Sequence, residues 1–288
     1  MVSSILPGYP VPRGLEAHRT GVPDVSKPTM HSYSSTGMFQ TCPGQYQKIR
    51  WLKTYSSESN EAAERGTEMH DELEHCIIDD TDYSMPEYQW ILDDFRAQSG
   101  LKVPEMELAI NAAWEPVPYY LDEIDENGRP VRNPEAWYGG KIDLTCLNGT
   151  HANSSDLKTG KRKFKEPEDF ECWLIERHEG GIQQAPKMLA NARQASEYSL
   201  LLFLHFPTIK TIDFRFIWSD VEDCKEDLFK FSRDTHSEKL LKTMLATPAK
   251  IEQAIENDEW ELKPSGLCNG WCPCISCEHW SPRKRWRK

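Results

Sequence analysis

The amino-acid sequence predicts an α/β fold, a central mixed β-sheet flanked by helices. Three observations predict it. Apolar residues recur at helical spacing through the first third of the chain. Between residues 101 and 218 they alternate with polar ones in short stretches, as half-buried strands do. One long helical pattern separates the last of those stretches from the others. The order is therefore helices, three strands, helix, strand, helix, which a sheet with covered faces accommodates.

Taken in order, residues 1–30 are rich in Pro and Gly and read as an irregular arm. From Ser32 to Lys53 a polar N-cap region leads into a helix carrying Met38, Phe39, Tyr46, Ile49 and Trp51. A second helix over residues 59–78 opens on the cap residues Ser59 and Asn60 and sets Met69, Leu73 and Cys76 at helical spacing. A third covers residues 88–98. Met106, Leu108 and Ile110 alternate as a strand. Residues 123–134, punctuated by Asn-Gly and Arg-Pro, form a hairpin loop or an insertion. Residues 137–147 read as a strand, Asn148-Gly149 as a tight turn, and the next strand leads into Ser155-Asp156-Leu157-Lys158. A long helix spans residues 182–204, with Pro186 in its first turn. Ile212, Phe214, Phe216 and Trp218 alternate in a further strand, and residues 222–255 are helical with a break near Pro248.

A chain of 288 residues, 38% hydrophobic and 28% charged, is long enough for one large core. The best apolar run, Ser199 to Phe206, falls far short of the ~18 residues a membrane span needs. Met1 to Pro23 lacks the basic-then-apolar pattern of a secretory leader, so the sequence predicts an intracellular, cytoplasmic protein with no membrane partner. The net charge of −12 argues against a general nucleic-acid coat, but not against an enzyme whose carboxylates hold cations. Two local basic strips run from Lys158 to Lys165 and from Arg283 to Lys288. Each reads as a nucleic-acid contact or as solvated surface.

Phosphodiester hydrolysis needs an activated water, a stabilised phosphorane and a neutralised leaving oxygen, and divalent ions held by carboxylates supply all three. Asp143, a hairpin turn, then Asp156 and Lys158 can provide such a set. Asp156 and Lys158 are two apart on a strand and share a face. The tight turn brings Asp143 alongside, and an ammonium beside two carboxylates can orient water or offset charge.

These residues resemble the PD-(D/E)XK nuclease superfamily, in its RecB-like branch, which includes the nuclease domains of RecB and AddB and the CRISPR-associated adaptation exonucleases. Gly140-Lys141-Ile142-Asp143 is similar to the family's Gly-x-x-Asp motif, and Asp156-Leu157-Lys158-Thr159-Gly160 to its Asp-x-Lys-Thr-Gly motif. Arg65-Gly66-Thr67-Glu68-Met69-His70 resembles its Arg-Gly-Thr-x-x-His helix. Gln194 and Tyr198 resemble its Gln-x-x-x-Tyr motif, with Gln183 or Gln184 as alternatives for the Gln. The family also places a Glu on the strand before Gly-x-x-Asp; Glu105 is favoured over Glu107. The resemblance implies a restriction-endonuclease-like core. It implies Mg²⁺ or Mn²⁺ on His70, Asp143, Asp156 and the carbonyl of Leu157, helped by Glu105, with Lys158 orienting water and Gln194 and Tyr198 positioning a DNA strand. Single strands or duplex ends are the implied substrate, and DNA recombination, replication or repair, in a bacterial host or its phage, the implied setting. It also implies one nuclease domain over residues 31–280: a helical part (31–100), a catalytic core (101–220) and a C-terminal helix with a Cys cluster (221–280), followed by a basic tail (281–288). The rival reading is a catalytically silent DNA-binding or assembly module on the same fold.

The nine Cys are unevenly spread, with Cys268, Cys272, Cys274 and Cys277 inside ten residues. Crowded thiolates select zinc or an iron–sulfur cluster over Mg²⁺, and on residue chemistry alone the four fit a Cys₄ zinc site. The resemblance implies instead a [4Fe–4S] cluster on Cys42, Cys268, Cys272 and Cys277, with Cys274 spare, closing the C-terminus onto the N-terminal part. The family's usual Cys-x-x-Cys is here Cys-x-x-x-Cys.

Overall fold

The computed structural model describes residues 30–56, 61–158, 186–219 and 226–282. The arm before Met30, the caps Ser59 and Asn60, Thr159-Gly160 and the basic strip after Lys158, Gln183, Gln184, and the tail from Arg283 lie outside the described residues.

Ser32 caps α1 (Tyr33–Thr41), its hydroxyl accepting from the Ser35 amide. The single helix expected from Ser32 to Lys53 is interrupted at Cys42, which is extended (φ −161°) because Pro43 disfavours a helical residue before it. Pro43 starts α2 (Pro43–Tyr46), and a π-helical turn follows (Gln47–Trp51). Next come α3 (Glu61–Asp79), α4 (Gln89–Ala97) and β1 (Leu101–Ile110). The expected insertion is built from β2 (Pro116–Val117) and a separate two-stranded hairpin, β3 (Tyr120–Ile124) with β4 (Pro130–Arg132). Then follow β5 (Tyr138–Asn148), β6 (His151–Lys158), α5 (Pro186–His205), β7 (Thr211–Trp218), β8 (Glu226–Ser232) and α6 (Arg233–Asn257). The β5–β6 turn lies one residue later than expected: Asn148 pairs with His151, leaving Gly149-Thr150 as the loop, with Gly149 at φ +60°.

The six-stranded sheet has the order β2-β1-β5-β6-β7-β8. Its neighbours are antiparallel except β6 and β7, which run parallel across the connection containing α5. The expected mixed α/β architecture is thus observed. Two expectations fail. Residues 226–232, expected to be helical, are strand β8: Asp227, Phe229 and Phe231 point inward, and the buried Asp227 carboxylate accepts from the Trp218 indole at 2.9 Å. A charged residue at an inward position hid the period of two. Pro248 does not break α6, because Leu240 and Met244 before it and Ile251 after it are anchored in buried clusters.

The sheet separates two cores. On one face α5 and α6 pack over Met106, Ile142, Phe214, Phe216 and Phe229. On the other α3 and α4 pack over Leu144, Cys146, Leu157 and Ile217. In β1 and β5 the alternation slips once. Val103 and Met106 both join the first core, as do Ile142 and Leu147, while Leu144 joins the second. The slip falls at Glu105, whose φ is +46°, and at Asp143, which lies opposite it. Both strands therefore change face at one rank, and their register is undisturbed.

Candidate active site

Glu105, Asp143 and Asp156 fall on that same rank. Glu105 faces Asp143 between the pairs Pro104↔Leu144 and Met106↔Ile142. The β5–β6 ladder ends at Leu144↔Ser155, so Asp143 and Asp156 are the next facing pair, just where the strands part. Like charges opposite one another destabilise a sheet. A row of three carboxylates beside a splayed ladder therefore calls for cations.

Three side-chain cations answer. His70 Nδ1, from α3, lies 3.4 Å from Asp143 Oδ1 and 3.8 Å from Glu105 Oε1. Lys141 Nζ lies 3.1 Å from Glu105 Oε2 and 3.5 Å from Glu107 Oε1. Lys158 Nζ pairs with Asp156 Oδ2, donates to Gln194 Oε1 at 3.0 Å, and sits 5.1 Å from the centre of the Phe216 ring. Gln194 Nε2 donates to Asp156 Oδ1 at 2.5 Å, so α5 fixes both Asp156 and Lys158. The Leu157 amide donates to Asp143 Oδ2 at 2.6 Å across the gap between the strands.

The electrostatics follow from this crowding. Burial acts to lower the His70 pKa, but Asp143 and Glu105 outweigh it and push it up to about 10. Burial acts to raise the Glu105 pKa, and His70 and Lys141 hold it below its ordinary value. Asp156 goes the other way: burial, then the Asp143 charge, raise it against the pull of Lys158. His70, Glu105 and Asp143 each offer a donor atom within 4.8 Å of the others, a spacing that fits a metal ion. Asp156 Oδ2 is buried next to them and has no hydrogen-bond partner among the described residues, only the Lys158 ammonium as a charge partner. The donors, mostly carboxylate oxygen with one imidazole, suit a hard divalent cation.

The structure gathers His70, Glu105, Asp143, Asp156, Leu157, Lys158 and Gln194 into one site. Glu107 stands further out, on Lys141. Tyr198 is buried 6.0 Å from Phe214 (ring centroids) and packs against Gly140, where an added Cβ would lie 2.5 Å from its ring. It thus backs the site from the core side. Two features escaped sequence reasoning. Lys141 lies inside the Gly-x-x-Asp stretch and alternation put it on the face of Glu107, so its role was open to inference. Behind Gln194, a buried network joins Arg193 to Glu197 at 3.6 Å and to the Tyr33 carbonyl at 3.2 Å, with Tyr138 donating to Glu197. The Arg193–Glu197 pair, one helical turn apart, was open to inference from spacing, but nothing local ties Arg193 to Tyr33 or Tyr138 to Glu197, which lie far apart in sequence.

A second group gathers at the chain's other end. Cys42, Cys268, Cys272, Cys274 and Cys277 line one cavity together with Lys48. Cys274, expected to be spare, is the buried member, and its pKa is pushed up to about 12 by burial and by neighbouring Cys272. The loop is pinned by the Cys272 amide to Leu267 O (2.8 Å), the Ser281 amide to Cys268 O (2.8 Å) and the Gly44 amide to Glu261 O (3.1 Å).

No family model and no curated protein sequence matches the chain. Among solved structures, it is similar to a protein named SSO0001 (13% identity, TM-score 0.40, covering 93% of this chain and 94% of that one). It is also similar to a protein of Eubacterium rectale named "putative exonuclease" (11% identity, TM-score 0.43, covering 92% and 89%). Likeness at this level says nothing of what this chain does. No helix among the described residues is long and apolar enough to cross a membrane.

Proposed function

We propose that the chain is a divalent-metal-dependent DNA nuclease of the PD-(D/E)XK, RecB-like kind, with a restriction-endonuclease-like core and phosphodiester hydrolysis as its reaction. One observation carries the reading: three carboxylates of adjacent strands share a rank where the sheet splits, with His70 and Lys158 converging on them. Mg²⁺ or Mn²⁺ is the ion, held by His70, Glu105 and Asp143 with Asp156 and the Leu157 carbonyl beside them. Bound there, the ion lowers the pKa of water and neutralises charge on the scissile phosphate. Lys158, fixed by Gln194 and Asp156, directs its ammonium toward the attacking water and the phosphorane. Gln194 and Tyr198 hold that geometry from α5.

The cysteine cavity is read as a structural [4Fe–4S] site on Cys42, Cys268, Cys272 and Cys277, with Zn²⁺ the alternative. Among the described residues no three thiol sulfurs lie within 4.8 Å of one another. A zinc tetrahedron with Zn–S of about 2.3 Å would hold four sulfurs about 4 Å apart, and elemental analysis for iron and zinc distinguishes the two. DNA with free ends is the proposed substrate, exonucleolytic cleavage the mode, and one domain over residues 31–280 the unit.

The test is Asp156→Asn. Full-length wild type with Mn²⁺ or Mg²⁺ should degrade end-labelled DNA, and the variant should lose at least about a hundredfold in rate. Because burial and the Asp143 charge disfavour the charged form of Asp156, the variant should melt a few degrees higher in metal-free buffer above neutral pH. Equal degradation by both proteins would remove Asp156 from the site.

A further inference from the structure

On the face of β5 that carries Lys141, the strand runs from Gly139 through Lys141 to Asp143. Tyr119 closes one end of this path: a Cβ on Gly139 would lie 3.1 Å from its ring. Tyr120 follows at the start of the β3–β4 hairpin, and the two rings meet edge to face with centroids 4.9 Å apart. Arg132, from β4, places its guanidinium 5.0 Å from the Tyr119 ring centre and 5.8 Å from that of Tyr120, and donates to the Tyr119 hydroxyl at 3.2 Å. No carboxylate pairs with Arg132 among the described residues. All three side chains are at least partly exposed. Four residues of strand, about 13 Å, separate Gly139 from Asp143, which is a few nucleotides of a stacked strand at about 3.4 Å each.

We propose that Tyr119, Tyr120 and Arg132, at the base of the β3–β4 hairpin, form a stacking platform for the bases of single-stranded DNA, whose backbone runs past Lys141 to the carboxylate row. Aromatic faces accept any base, and a guanidinium over them adds cation–π attraction and a phosphate contact. Duplex DNA keeps its base faces stacked inside and cannot use the rings. The hairpin beyond the platform carries Asp122, Glu123, Asp125 and Glu126, all exposed, which repel phosphate and confine the strand to the hairpin's base. The platform as a binding site stands on these side chains alone, while its service to the carboxylates rests on the nuclease reading.

The test is fluorescence anisotropy of labelled oligothymidylate, about 20 nucleotides long, with the full chain in EDTA, where hydrolysis is silent. Wild type should bind this strand more tightly than a blunt duplex of equal length. Tyr120→Ala and Arg132→Ala should each weaken binding by about tenfold, with unchanged melting curves. Tyr120→Trp, which keeps a stacking face, should bind as wild type does. Equal affinity for single strand and duplex, or wild-type binding by both alanine variants, overturns the platform. Cleavage with Mn²⁺ is scored separately. A protein that binds the strand through Tyr120 but cuts no DNA refutes the nuclease reading and keeps the platform. One that cuts DNA but binds without regard to Tyr120 and Arg132 does the reverse.

Discussion

His70 carries a proton that a metal ion, bound as proposed, would expel. Its pKa, pushed up to about 10 by Asp143 and Glu105 against burial, makes it an imidazolium at neutral pH when no ion is bound. A ligand histidine must be neutral, so binding releases that proton. Mn²⁺ affinity, measured by calorimetric titration, should therefore climb with pH up to about 10, and His70→Asn should flatten the climb. The sign for stability is opposite. A folded-state pKa raised above the unfolded value of about 6.5 contributes stability that is full below that pH and is lost as pH rises through the folded value. The metal-free melting temperature should fall across this window, and Mn²⁺ should protect more as it falls. His70 itself was legible in sequence through its company in Arg65-Gly66-Thr67. Its partner Glu105 was legible only as one of two candidates, because alternation puts Glu105 and Glu107 on one face, and the φ of +46° that turns Glu105 toward His70 has no signature in a glutamate.

At the scale of elements, β5 and α5 meet through a missing side chain. Gly140 is the floor on which the Tyr198 ring lies. Gly140→Ala should drive a methyl into that ring and cost about 1–3 kcal/mol, read as a lower denaturant midpoint. Because Gln194 lies one turn before Tyr198, a displaced α5 should also loosen Lys158 and slow cleavage. Alternation made β1 and β7 readable, the Asn-Gly turn placed β6 after β5, and helical spacing revealed α3 and α5. Where the reading failed, a local feature concealed the pattern. Asp227, a carboxylate satisfied by the Trp218 indole, occupies an inward position of β8 and breaks its period. Pro43 did carry the signal for the stop at Cys42, but the apolar spacing across it outweighed that signal. The rank shared by Glu105, Asp143 and Asp156 depends on registers between strands, which motif order suggests but cannot fix.

Across the whole molecule, the two ends of the described chain are clasped. Phe39 and Tyr46 pack with Ile251 and Ala254, Trp260 stacks on Tyr46 with centroids 6.3 Å apart, and Cys42 meets the cysteines of the C-terminal loop. A metal centre in that cavity would make its binding energy part of the folding energy. Cys42→Ser should strip iron or zinc from the purified protein, measured by elemental analysis, and lower the melting temperature by more than about 5 °C. Unchanged metal content would take Cys42 out of the ligand set. Four clustered cysteines were plain in the sequence. That Cys274 is the buried one among them was not, since spacing counts residues and not depth.

The simultaneous change of face in β1 and β5 bears on how such a protein could lose its chemistry. Because each strand slips by one residue at the same height, deleting a residue from one alone would send every side chain beyond it into the wrong core. Exchanging Glu105 or Asp143 for a neutral residue leaves the strand count, and so the packing, intact. Inactivation by point replacement is therefore far easier to tolerate than inactivation by loss of length, and a silent descendant would keep its outline long after its acidic row had gone.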